Sequence, residues 1–178
     1  MTLSVRRSVA ALAVGAALVL AGCGGPEGPD RAAVVDGQVI SETSMQAGMA
    51  QVNQMEPKLL QAALTPTGTV TALVQAPVVL TYLDSKGVRI SDSVAKDASA
   101  KRGIANPSDS TLEIIKLAMA ISLAQTDGKF TADDQAVLVD QLKALKVDVN
   151  PRYGSYDPNT ASVQLTTPSW VTPQTAAQ

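Results

Sequence analysis

The only cysteine of the chain, Cys23, closes a short apolar run, and its position takes the first 22 residues out of any fold that the protein can build. Arg6 and Arg7 precede an uncharged stretch from Val9 to Leu20, and the small residues Ala21 and Gly22 follow. A basic start, an apolar run and small residues before a cleavage point make up a bacterial export signal. At about a dozen residues the run is well short of the ~20 that cross a bilayer as a helix. Removal of 22 of the 178 residues leaves 156, and the loss of two arginines moves the formal balance from −2 to −4. With no histidine and one cysteine, the chain cannot form a Cys/His zinc site, a Ser-His-Asp or Cys-His pair, or an intramolecular disulfide. We therefore expect no enzyme and no metal. The mildly acidic balance also lacks the clustered Lys and Arg that nucleic-acid binding requires, so no nucleic-acid partner is expected.

The tetrapeptide Leu20-Ala21-Gly22-Cys23 resembles the lipobox of bacterial lipoproteins. The resemblance implies signal cleavage between Gly22 and Cys23 and a lipid on Cys23, a diacylglyceryl group with an N-acyl chain such as palmitate. No other cofactor is expected. Two or more acyl chains anchor a protein stably where one is marginal. The expected location is thus the cell membrane, on its extracytoplasmic side, by a lipid anchor. Residues 23–32, with Gly24-Gly25-Pro26-Glu27-Gly28-Pro29, read as the acylated cysteine and a flexible tether. Residues 157–178, rich in Thr, Pro, Ser, Ala and Gln, read as a disordered tail in which Trp170 is the only large aromatic. The folded domain is expected at 33–156.

Within that domain the pattern predicts a mainly α (α+β) fold: a compact bundle of about five helices with a short N-terminal β-hairpin and a C-terminal strand. Two Val-rich segments, Ala33-Val34-Val35 and Gln38-Val39-Ile40, flank Asp36-Gly37, a strong hairpin signal because both turn residues tolerate positive φ. Ser41 caps a first helix in which Met45, Met49, Val52, Met55, Leu59 and Leu60 recur at spacings near three and four. Pro57 bends or restarts it, and Pro66 and Gly68 break the chain. Val70 to Leu83 is apolar nearly all round, with Pro77 inside it, so a kink with an open carbonyl near position 73 is expected unless a helix starts at Pro77. Ser91 caps a short charged helix to about Lys101, and Ser108 or Ser110 caps an apolar helix over 111–125 whose Leu112, Ile115, Met119 and Leu123 share a face. Thr131, with Asp133 and Asp134 in the first turn, opens the last helix, and Val147-Asp148-Val149 alternates as a strand does.

Two of these segments carry a further resemblance. Ala33-Val34-Val35-Asp36-Gly37-Gln38-Val39-Ile40-Ser41 and Lys86-Gly87-Val88-Arg89-Ile90-Ser91-Asp92 resemble, in order and spacing, motifs of the SurA N-terminal-domain family, and the closing Asn150-Pro151-Arg152-Tyr153-Gly154 is similar to actinobacterial lipoproteins of this type. The resemblance implies a helical chaperone module related to the peptide-binding region of trigger factor. It departs from SurA and the foldase PrsA in lacking room for a parvulin isomerase domain, so any activity would be binding and not turnover. The expected function is that of a lipid-anchored extracytoplasmic chaperone-like protein whose partners are unfolded or secreted polypeptides. The alternative is an accessory cell-surface lipoprotein that binds one dedicated folded protein. A third class, a small-ligand carrier, would need an enclosed cavity.

A chaperone surface must adapt to many sequences, and methionine repacks readily. Met45, Met49, Val52, Met55 and Met119 are therefore the candidate client-binding residues, set against their use as ordinary core. Other signals are weaker. Leu123 to Asp134 places Gly128 and Asp134 at EF-hand positions six and twelve, but Leu123 and Gln125 stand where calcium needs carboxylates. Asp133, Asp134 and Glu113 fit helix-start and surface roles better than a catalytic acid pair. Lys101-Arg102 reads as a solvated helix end, and Arg152 and Tyr153 as closure of the module.

Overall fold

The structure is a computed structural model and describes residues 30–128 and 130–166. The expected export signal, with Gly22 and Cys23, and Trp170 lie outside these residues. The element order is β1 (Arg31–Val35), β2 (Gln38–Ser41), α1 (Glu42–Gln54), α2 (Pro66–Ser85), α3 (Asp92–Ala100), α4 (Asp109–Thr126), α5 (Ala132–Lys143), β3 (Val147–Val149), β4 (Ser155–Asp157) and β5 (Ser162–Gln164). The chain is thus a mainly helical bundle of five helices with a few short antiparallel strands among the described residues, the architecture that its sequence predicts.

Every helix starts on a hydroxyl. The side chains of Ser41, Thr65, Ser91, Ser108 and Thr131 accept from the backbone amides of Ser44, Gly68, Val94, Thr111 and Asp134, respectively, each satisfying a donor that the helix itself leaves open. Pro66 is not a break, as expected from the sequence, but the first turn of α2 after its Thr65 cap, where the missing amide costs nothing. Helix α2 then runs through Pro77 to Ser85. Helix α1 stops at Gln54, three residues ahead of Pro57, because a proline disfavours helical backbone in the residue before it. Leu59 and Leu60 therefore fall in the connection to α2 and not on α1.

The hairpin forms as predicted around Asp36 and Gly37, both at positive φ (49° and 85°), pairing Val34 with Val39 and Val35 with Gln38. β3 joins the other edge of β1, antiparallel, with Ala33 opposite Val149, so the sheet order is β2-β1-β3. The boundary at 156 needs correction. β4 and β5 form a second hairpin, and Ala161 and Val163 are buried. The Val163 amide donates to Thr71 Oγ1 (3.0 Å) and Gln75 Nε2 to the Ala161 carbonyl (2.5 Å), fixing this hairpin on α2. The folded module thus extends through Gln164. Gly154 makes the hairpin possible: its φ is 118°, and a Cβ there would stand 2.1 Å from the Gln164 carbonyl oxygen.

Helix α4 is the axis of the bundle and packs on α1, α2 and α3. Its first half meets α1 through small residues. Gly48 lies so close to Ser110 that a Cβ would approach the serine Cβ to 2.9 Å, and the Ser44 and Ser110 hydroxyls are hydrogen-bonded. One turn on, Gln51 Oε1 accepts from the Ser108 amide (2.8 Å) and from Thr111 Oγ1 (2.5 Å), which satisfies the fully buried Thr111 hydroxyl.

Candidate functional site

The methionine surface expected from the sequence does not form. Met45, Val52 and Met55 are 1%, 3% and 0% exposed, packed with Val70, Leu73 and Ile115 in the first of two core clusters. The cause is geometric: the sheet, α2 and α4 all press on the apolar stripe of α1, leaving no face of it for a client. Only Met49 and Met119 retain partial exposure. Of the five candidates, Met119 lines a wide groove, and Val52, though 3% exposed, borders a smaller one of about 120 Å³ beside the connection into α2.

That groove, of about 380 Å³, lies over the second half of α4 and is lined by Leu59, Ile90, Arg102, Met119 and Leu123, with Thr126 at its end. Ile90 also borders a larger groove of about 580 Å³ between the second half of α2, the connection into α3, and Lys116 of α4. The two share a wall and differ in character. Lys116, Met119, Leu123 and Thr126 recur at three and four residues and so stand on one face of α4. At the Lys116 end the lining carries charge: Lys116 Nζ is 2.8 Å from Asp92 Oδ1, and Arg89 is 4.0 Å from Asp84. The Lys116 ammonium holds the Asp92 carboxyl below its usual range, while burial raises that of Glu113, one turn before Lys116. At the other end the lining is mostly apolar, with Ser122, Thr126 and Arg102 among Leu59, Met119 and Leu123, the last 40% exposed. Arg102 borders it with its Nη1 bonded to the Ala98 carbonyl (2.9 Å) and its Nε buried without a partner.

A third, narrower cleft of about 160 Å³ opens between α2, α4 and α5, lined by Val79, Leu83, Ile121, Phe130, Leu138 and Leu142, with Gln75 at its edge.

Of the acidic residues considered for catalysis, Asp134 is used in packing, while Asp133 is exposed. Asp134 completes a capping box with Thr131, its Oδ2 accepting from the Thr131 amide (2.9 Å) and hydroxyl (2.7 Å). Its Oδ1 accepts from the Tyr82 hydroxyl (2.7 Å) and lies 2.6 Å from Lys86 Nζ. With four donors around it, led by the Lys86 ammonium, its carboxyl is held far below the ordinary range, and the Lys86 and Tyr82 values rise in turn. Such a group is locked as an anion and cannot serve as a base near neutrality. It clasps α5 to the end of α2. Among the described residues no group of three His, Cys, Asp or Glu could hold a metal ion, and no helix is long and apolar enough to cross a membrane. Tyr153 is buried and Arg152 pairs with Glu42 (2.8 Å), so both close the module where β1 enters it.

Comparison with known protein families, with curated proteins and with solved structures finds no match. Sequence reasoning missed Leu59, Ile90 and Leu123. The four-residue step from Met119 to Leu123 was visible, but it read as a continuation of the core face begun by Leu112 and Ile115. No local signal marks where α4 loses its cover.

Proposed function

We propose that the protein is a lipid-anchored, extracytoplasmic module of the SurA N-terminal type that binds a dedicated polypeptide partner along the open face of α4. The observation that carries this reading is the change of character along one groove system, mostly apolar with one cation, Arg102, around Met119 and Leu123, and rich in ion pairs around Lys116 and Asp92. A fixed sequence of apolar and charged subsites selects a partner; a surface for many clients would be uniformly apolar and deformable. Burial of Met45, Val52 and Met55 removes the deformable surface that a general holdase would use. The carrier reading has little support, because the large grooves are open to solvent and the apolar cleft is below the ~300 Å³ at which small-molecule pockets begin. The hairpin at Asp36-Gly37 and the Ser91-capped junction after Lys86 are the features in which the chain resembles the SurA-type module. The lipid on Cys23 would keep that module at the extracytoplasmic membrane surface.

The dedicated-partner and holdase readings separate in one assay. The purified mature chain is mixed at near-equimolar ratio with two unrelated denatured proteins, and their aggregation is followed by light scattering. The dedicated-partner reading expects no suppression of either. Suppression of both that disappears in a folded Met119→Gln, Leu123→Gln variant would overturn it in favour of a holdase.

A further inference from the structure

The cleft between α2, α4 and α5 is shaped for a single large side chain. It is about 160 Å³, and an apolar cavity of about 150 Å³ is enough to hold one benzene ring. Its walls are aliphatic apart from Phe130 and Gln75, and Ile121 at its mouth is 37% exposed. Gln75 is the polar group at its edge, and the amide nitrogen of that side chain already donates to Ala161 of the second hairpin. The C-terminal chain is therefore attached to the rim of this cleft. From Ala161 it runs along α2 past Thr71, with Gln164 as the last residue of β5.

We propose that the C-terminal segment of this same chain, residues 167–178, seats Trp170 in that cleft. Three observations favour this occupant over a second copy or a separate protein. Trp170 follows Gln164 by six residues, a span of up to ~20 Å when extended, and the three residues from Ala161 to Gln164 have carried the chain at most ~10 Å from the rim. The segment Thr167-Pro168-Ser169-Trp170-Val171-Thr172-Pro173-Gln174-Thr175-Ala176-Ala177-Gln178 has no charged side chain, so seating it desolvates none. Trp170 is also the only tryptophan in a chain with one phenylalanine and three tyrosines, so no other indole competes for the place. Gln75 Oε1, on the side-chain amide whose nitrogen is already engaged, is an acceptor suited to the indole N–H, which needs a partner when buried.

Because Trp170 is the sole tryptophan, its fluorescence reads the seat directly. The purified full mature chain, reconstituted in phosphatidylcholine vesicles, is expected to show blue-shifted emission independent of protein density, with little quenching by acrylamide. Ile121→Glu at the mouth of the cleft should shift the emission to the red and raise quenching several-fold. Val137→Glu, exposed on α5 outside the cleft lining, should leave both unchanged, with circular dichroism confirming that each variant folds. Phe130→Ala supplies a second cleft variant should Ile121→Glu unfold, with the same red shift expected. Solvent-like emission in the unaltered protein overturns the proposal, as does a blue shift that both cleft variants leave intact. A blue shift that grows with protein density would place the indole in a second copy, and quenching by brominated phospholipid would place it in the bilayer. Either of these also overturns it.

Discussion

The two halves of α4 differ in composition, the first carrying Asp109, Glu113 and Lys116 and the second no charge, yet it is the uncharged half that leaves large apolar side chains exposed. In the first half Leu112, Ile114 and Ile115 are buried at 7%, 2% and 1% exposure under α1, α2 and α3. In the second half Ala120 and Ala124 stay buried against Val79, Leu83 and Leu138, while Ile121 and Leu123 are 37% and 40% exposed. Apolar periodicity says which face of a helix avoids water, but the neighbouring elements decide how far along the helix that face is covered. The first half is a closed core that fixes the fold. The second half keeps Ala120 and Ala124 in the core and leaves Met119 and Leu123 on an open groove, which is why the proposed partner site is placed there.

The difference can be broken from the closed side first. Ile115→Ala should cost about 2–5 kcal/mol, seen as a lower urea midpoint with unchanged slope; a cost below ~1 kcal/mol would mean that the first half is not a packed core. Gly48→Val should cost about 1–3 kcal/mol through overpacking at the α1–α4 crossing, since even a single added carbon meets Ser110 Cβ at 2.9 Å. A neutral result in thermal unfolding would show that the two helices can separate freely.

At the junction of the two regions the clasp of Asp134 to Lys86 and Tyr82 has a pH signature. The Asp134 carboxyl titrates below its unfolded value of about 3.9, so its contribution is complete above that value and is lost as pH falls from there toward the folded value. Asp134→Asn should lower Tm by a few degrees at pH 7, and the gap to the unaltered protein should close below about pH 4. A gap that persists unchanged in acid would show that packing, not charge, holds α5. The smallest effect belongs to the open half: Leu123→Ser should change stability by less than about 0.5 kcal/mol while weakening the partner at least tenfold in a binding titration.

Much of this architecture was legible from local chemistry. The caps Ser41, Ser91, Ser108 and Thr131, the Asp36-Gly37 turn and the alternation of Val147 to Val149 are signals confined to a few residues, and each marks a real boundary. What was not legible depended on distant neighbours. Met45, Met49 and Met55 have the same side chain within one stretch of chain, yet only Met49 escapes full burial, since the sheet and α2 that cover the other two come from elsewhere in the sequence. The second hairpin was read as tail because its strands have three residues each and its anchor is tertiary, through Thr71 and Gln75. Pro66 was read as a break because a proline that opens a helix and one that ends it look alike until the Thr65 cap is set beside it.

The central claim, that the open half of α4 receives one partner polypeptide, is tested most directly by a photo-crosslinking amino acid placed at Leu123 in the full chain expressed in its own cells. The same probe at Val137, exposed on α5 away from the groove, serves as the comparison. The account predicts one discrete adduct at position 123, carrying a single polypeptide, absent at position 137 and lost when Met119→Asp is added. A smear of many polypeptides at position 123, or equal labelling at both positions, would contradict it.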